Sequence, residues 1–433
     1  MPDPRPARRD RYLQRLGGAA SILFGGPHAT RNSDSEYRYR PQSDVVYLTG
    51  WEDPEVAVVF RPGSEHPYVL FVQAKDKEQE VWTGRREGVE GARGRYGADL
   101  AFPYSELGSR LPVLLQGYER LHHAYGEHPD HDRIVFKATA NARTALRNGL
   151  CLPWKMEHSR VLLGELRLQK DEHELELLRR AAAITAEAHI AAMQAGKPGA
   201  YEYEVEATIE GLFRRRGGTG AGYTTIVGGG VNACVLHYVN NRDVLAPGTL
   251  CLVDAGAEVE WYTADVTRTW PVSGRFSGPQ RDVYQLVLDA QIAAIACARA
   301  GRPWREMHDA AVRVLTTGMV ELNLLDGDVD ELIVEERYRK YYMHGTGHWL
   351  GLDVHDVGAY HIGLSSRPLA AGQVVTVEPG LYIAPDDHDA PEALRGIGVR
   401  IEDDVLVTEG DPDVLSRACP KTIADVETAC ARA

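Results

Sequence analysis

Five short segments in the second half of the 433-residue chain each set an acidic or imidazole side chain at the end of, or beside, an apolar run. They are LCLVDAG (Asp254), YTADVTRTW (Asp265), HGTGHWLG (His344, His348), VVTVEPG (Glu378) and GVRIEDDV (Arg400, Glu402). Strand side chains alternate, so Asp265 and Thr267 share one face, as do Arg400 and Glu402, with Val266, Val399 and Ile401 on the opposite faces. Carboxylates on strands flanked by apolar residues are costly to bury unless something compensates them. A metal centre is such a compensation.

Taken one at a time the segments have ordinary explanations. An Asp before Ala-Gly reads as a turn or cap residue, and the pair Asp403–Asp404 reads as a solvated edge. His237 alone suits a core, His344 a turn, and His355 a strand histidine paired with Asp356. His344 and His348 are four apart, but Gly-Thr-Gly between them makes a poor helix, and the chain has no HExxH, which excludes a zincin.

Taken together, charge favours two cations. Asp254, Asp265, Glu378 and Glu402 sum to −4 and two divalent ions to +4, and a bridging hydroxide leaves the cluster near −1. Four carboxylates at close range cannot all stay ionised without them. Oxygen-rich donors with one imidazole point to Mn first, with Co, Fe or Zn also compatible.

The remaining sequence is read as two α/β domains, 1–168 and 169–433. Ala20–Phe24, Val45–Leu48, Val56–Phe60 and Tyr68–Val72 are read as strands, and helical patterns fall near Glu106–Gln116 and Asn141–Arg147. From Lys170 onward Leu177, Ala181, Ile184, Ala188 and Ala191 recur at helical spacing. Further helices are predicted over Tyr203–Arg216, Gln280–Ala300 and Trp304–Val320.

A formal net charge of −14 argues against a general nucleic-acid binder. No apolar run reaches the ~18 residues that a membrane helix needs, and the run Ala19–Phe24 is too short for a signal peptide. Cys151, Cys234, Cys251, Cys297, Cys419 and Cys430 form no CxxC pair, which suits reduced thiols and a cytoplasmic location.

The order Asp, Asp, His, Glu, Glu, set in VDAG, ADVTRT, HGTGHWLGLDVHDVG, VEPGLY and RGIGVRIEDD, resembles the pita-bread metallopeptidases, and among them the Xaa-Pro aminopeptidases (aminopeptidase P), with prolidase as near kin. SDVVYLTGWEDPEVAVVF and VWTGRREG resemble the family's non-catalytic N-terminal domain. The resemblance implies a catalytic pita-bread domain in which Asp254, Asp265, His348, Glu378 and Glu402 hold two divalent metals, Asp265 and Glu402 bridging them. It implies that Glu378 is the general base, that His237 and His355 hold the substrate carbonyl, and that His344 lines the proline side. Arg400, Tyr223 and Thr267 would orient the ligands, with Arg400 also touching substrate. The expected reaction releases the N-terminal residue from peptides with proline in second place by attack of a metal-bridged hydroxide. Alternatives are a prolidase acting on Xaa-Pro dipeptides, a peptide-binding relative without catalysis, a methionine aminopeptidase, which would not need the N-terminal domain, and a carbon–nitrogen hydrolase of non-peptide substrates, whose members lack the metal set. The family also implies a homodimer or homotetramer built through the N-terminal domain, with Trp82 reaching a neighbour's site. The loop HIGLSSRPLA lies outside the resemblance, so the outer subsites are not specified by it.

Overall fold

The computed structural model describes residues 3–431 and divides into two compact units, meeting in sequence between Leu166 and Arg167. In the first unit, the runs β1 (Ala20–Phe24), β2 (Ala57–Phe60) and β3 (Tyr68–Val72) are buried along their whole length. β-Branched and aromatic residues suit such pleated, two-sided burial. With β4 (Leu100–Pro103), β5 (Arg120–His122) and β6 (Lys155–Glu157) they make a mixed sheet ordered β4-β3-β2-β1-β5-β6. β1 runs antiparallel to β2 (Ser21 opposite Phe60) and parallel to β5 (Ala20 opposite Leu121). Ile22, Phe24, Val59, Val69 and Phe71 pack with Leu107, Leu111 and Val135 in one core. These last come from the helices Leu107–Leu114 and Pro129–Thr139.

One expected strand is a helix. Val45–Leu48 lies inside α1 (Ser43–Thr49). The Gln42 side chain accepts the Val45 N–H at 2.9 Å at its start, and Gly50 closes it with φ 68°. Four apolar residues in a row carry no period that separates strand from buried helix, so the local caps decide.

The second unit begins with α2 (Glu172–Ala195), whose first turn is held by a capping box between Asp171 and Glu174. It ends at Gly196, where a Cβ would come within 3.0 Å of the Trp270 ring. α3 (Glu202–Arg215) follows, then β7 (Ile226–Gly229), β8 (Leu250–Asp254) and β9 (Thr267–Pro271), an antiparallel sheet with β8 in the middle. α4 (Gly278–Cys297), with a Ser277–Gln280 capping box, and α5 (Arg305–Glu321) form the next layer. The chain then returns as β10 (Val374–Val377), β11 (Gly380–Tyr382), β12 (Gly398–Arg400) and β13 (Asp403–Leu406). β10 pairs with β13 and β11 with β12, both antiparallel. No helix of the described residues is long and apolar enough to cross a membrane.

Candidate metal centre

Each acidic residue of the site sits where a strand begins or ends. Asp254 closes β8 and stands opposite Thr267 of β9, so the two share a face. Asp265 leads into β9, Glu402 joins β12 to β13, and Glu378 follows β10. Backbone bonds fix all three: Glu402 N–H donates to Thr267 O (3.1 Å), Glu378 N–H to Thr346 O (2.8 Å), and Asp265 N–H to the Asp404 carboxylate (3.1 Å).

The HGTGH segment runs beside β10. His348 N–H donates to Thr376 Oγ1 (3.0 Å), and its carbonyl accepts Thr376 N–H (2.9 Å). Gly347 is required by this approach, since a Cβ there would lie 2.0 Å from Thr376 O. His348 Nδ1 lies 3.1 Å from Trp349 O, a carbonyl that can only accept, so Nδ1 carries a proton and Nε2 is turned to the carboxylates. That Nε2 stands 3.3 Å from Asp265 Oδ2 and 3.7 Å from Glu378 Oε1.

Asp265, His348 and Glu402 each offer one ligand atom, all within 4.8 Å of one another. Asp254 joins them through the Tyr223 hydroxyl, which is 2.5 Å from Asp254 Oδ1 and also contacts Asp265 Oδ1. Arg400 lies behind the carboxylates and reaches Asp254 and two neighbouring hydroxyls. Its Nη2 donates to Asp254 Oδ2 (2.7 Å), its Nε to Thr267 Oγ1 (3.0 Å) and its Nη1 to the Tyr382 hydroxyl (3.1 Å). Thr267 in turn donates to Glu402 Oε2 (2.7 Å). A cavity of about 580 Å³ is lined by Tyr223, His237, Asp254, Asp265, His344, His348, His355, Glu378 and Glu402.

Electrostatics match a site built for cations. Burial, then the neighbouring Asp254, raises the pKa of Asp265. Burial and the adjoining carboxylates also raise Glu402 well above the usual range. Burial pushes Glu378 up to about 7, with Asp265 and Asp254 adding to the shift and His348 and Arg400 opposing it. Burial pushes His348 down, but the bond to Asp265 and the charges of Asp265 and Glu378 outweigh it and bring it to about 9. Carboxylates pushed toward neutrality by burial and by one another, with an imidazole turned to them, form a donor set that divalent cations satisfy. The residues present therefore fit a bound metal.

The three remaining histidines occupy the cavity differently. His237 sits exposed in a turn, and His355 packs its ring against His348 at 4.3 Å between centroids. His355 does not pair with Asp356, whose buried carboxylate binds Arg167 (2.5 Å) and Lys170 (3.0 Å) instead. His344 Nε2 lies 2.9 Å from the Tyr382 hydroxyl, and burial together with the Arg400 charge drives its pKa down to about 3, so it is neutral near pH 7.

One expectation needs correction here. Asp403 and Asp404 are buried, not a solvated edge. Asp403 pairs with Arg268 (2.7 Å) and Lys421 (2.6 Å), while Asp404 accepts the Asp265 N–H and is held well above the usual carboxylate range by burial and the Asp265 charge. The alternation that joins Arg400 to Glu402 extends by two residues to Asp404, so the signal was present. Tyr382 was also missed. It closes VEPGLY, and the β11–β12 register, with Gly380 opposite Arg400, brings it against the guanidinium.

The profile of metallopeptidase family M24 matches residues 176–409, and that of the aminopeptidase P N-terminal domain matches residues 6–122. The chain is 43% identical over 423 residues to a Xaa-Pro aminopeptidase of Escherichia coli K12, covering 97% of this chain and 96% of that one. It is 42% identical over 422 residues to the Haemophilus influenzae Xaa-Pro aminopeptidase, covering 97% and 95%. Among solved structures, Pseudomonas aeruginosa aminopeptidase PepP superposes with a TM-score of 0.96 at 45% identity, over 99% of this chain and 97% of that one. A substrate complex of an Escherichia coli aminopeptidase P variant superposes with a TM-score of 0.93 at 41% identity, over 98% of each. With its mixed α/β N-terminal domain, its pita-bread domain and its carboxylate-rich cavity, the chain belongs to metallopeptidase family M24.

Proposed function

We propose that this chain is a Xaa-Pro aminopeptidase, releasing the N-terminal residue from peptides whose second residue is proline. The observation that carries the reading is the gathering of Asp254, Asp265, His348, Glu378 and Glu402 in one cavity with His237, His344 and His355. The five would hold a pair of divalent cations, with Mn favoured by the oxygen-rich donors. When bound, such a pair supplies a Lewis acid for the scissile carbonyl and an acidified water for attack.

The chain's own residues do the rest. Glu378, on the cavity wall, takes the proton of the attacking water and returns it to the leaving proline nitrogen. His237 and His355 line the cavity and donate to the developing oxyanion. His344, held by the buried Tyr382 hydroxyl, lines the proline side of the cavity, and being neutral it adds no charge there. Tyr223, Thr267 and Arg400 hold the carboxylates in register, Arg400 from behind the cavity wall with its guanidinium engaged by Asp254, Thr267 and Tyr382. A tertiary amide has no N–H to recognise, and this set of groups does not need one.

Assembly into a dimer or tetramer and residence in the cytoplasm belong to the same proposal. Val81 and Trp82 stand 81% and 84% exposed side by side on the N-terminal domain, an apolar pair suited to a neighbouring subunit. Six free cysteines suit a reducing compartment.

The test is hydrolysis of a tripeptide Xaa-Pro-Xaa against the dipeptide Xaa-Pro, after chelation and with Mn²⁺ restored. Metal-dependent cleavage of the tripeptide is expected. Preference for the dipeptide would assign a prolidase, and cleavage of neither would leave a peptide-binding relative.

A further inference from the structure

His237 makes no side-chain hydrogen bond to another described residue, so its place in the cavity is set by its backbone alone. That backbone belongs to the segment from Gly229 to Asp243, a 3₁₀ turn followed by irregular chain, which has few ladder bonds of its own. One side chain gathers it. Glu202, at the start of α3 and with no solvent exposure, accepts four hydrogen bonds from this segment. Its Oε1 takes Gly229 N–H (2.8 Å) and Asn232 Nδ2 (2.9 Å), and its Oε2 takes the Tyr238 hydroxyl (3.0 Å) and Asp243 N–H (2.9 Å). These donors flank His237 on both sides, Tyr238 being its immediate neighbour.

The surroundings are shaped for this carboxylate. A Cβ on Gly229 would meet Leu245 at 2.6 Å and Glu202 Oε1 at 3.3 Å, so glycine lets the backbone come close. Burial, then the bond to Glu202, holds the Tyr238 phenol up at about 12, so it remains a donor. No Lys or Arg among the described residues forms an ion pair with Glu202, which leaves the four donors to balance its charge.

We infer that Glu202 is a positioning residue for His237, its buried carboxylate suspending the loop that presents the imidazole to the substrate. The inference rests on the reading that His237 contacts substrate. Glu202→Gln keeps the shape but turns one acceptor into an N–H₂ that faces the Asp243 N–H, so the loop must shift.

The experiment is a double-mutant cycle on Xaa-Pro-Xaa turnover with Mn²⁺, using Glu202→Gln and Tyr238→Phe, each alone and combined with His237→Ala or His355→Ala, with melting curves for every variant. Glu202→Gln is expected to lower kcat/KM about tenfold in the native background and with His355→Ala, but less than about twofold with His237→Ala. Tyr238→Phe, which loses one of the four bonds and keeps the fold, should follow the same pattern with a smaller loss. If His237→Ala is impaired and the losses simply multiply with it, the positioning role is overturned while the reading of His237 stands. If His237→Ala turns over normally, the reading of His237 fails, and the positioning role fails with it.

Discussion

Stripping the metals should make the stability of this protein fall with rising pH, and Glu378→Gln should remove a defined share of that fall. Glu378 has its folded pKa at about 7 against an unfolded value of 4.5. The folded state therefore holds this proton more tightly. Its contribution is fully present below pH 4.5 and is lost as pH rises toward 7. At ~1.4 kcal/mol for each tenfold difference in proton affinity, the whole contribution is roughly 3.5 kcal/mol. His348, raised to about 9 from 6.5, has the same sign: its contribution is complete below pH 6.5 and is lost as pH passes 9. Asp265 and Glu402 are also raised and add in the same direction. The assay is urea unfolding of chelated native protein and of Glu378→Gln at pH 5 and pH 7.5. An amide cannot ionise, so the variant should lose about 2.5 kcal/mol less across that interval, which begins above the unfolded value. Adding Mn²⁺ at pH 7.5 should restore the native protein, because a ligand bound only by the folded state stabilises it by mass action. Equal pH slopes for the two proteins would refute the claim that Glu378 is a buried carboxylate strained by its neighbours.

Three further substitutions probe the supports of the site. Arg268→Met leaves buried Asp403 with Lys421 as its one remaining cation among the described residues, and should cost about 3–5 kcal/mol in urea unfolding; a loss under about 1 kcal/mol would contradict the pairing. Gly347→Ala forces a methyl to within 2.0 Å of Thr376 O, so it should displace His348 and weaken Mn²⁺ binding at least roughly tenfold by calorimetry. Unchanged affinity would show that the HGTGH backbone does not set the ligand. Tyr382→Phe removes the hydroxyl shared by His344 and Arg400 and should lower kcat/KM about tenfold with little change in melting temperature. Native turnover would remove Tyr382 from the site.

The site was more legible in the sequence than the fold around it. Asp254, Asp265, Glu378 and Glu402 were visible because a carboxylate at the edge of an apolar strand is expensive, and the expense shows in the pattern. Long helices such as Glu172–Ala195 announce themselves by period and by acidic first turns. The short run Val45–Leu48 does not, because its helix depends on one glutamine side chain and one left-handed glycine. Asp403 and Asp404 were misjudged for a related reason. Adjacent acids normally point to solvent, and only tertiary contacts with Arg268, Lys421 and the Asp265 amide show where each goes. Glu202 lay beyond reach altogether, since its four partners spread from Gly229 to Asp243 and no spacing rule joins them to residue 202.

The central claim is that two cations are gripped by five side chains from separate strands and loops. Anomalous diffraction from crystals grown with manganese tests it most directly. Two peaks roughly 3.5–4 Å apart should appear, touching Asp254, Asp265, His348, Glu378 and Glu402. Peaks elsewhere, or none among these residues, would contradict it.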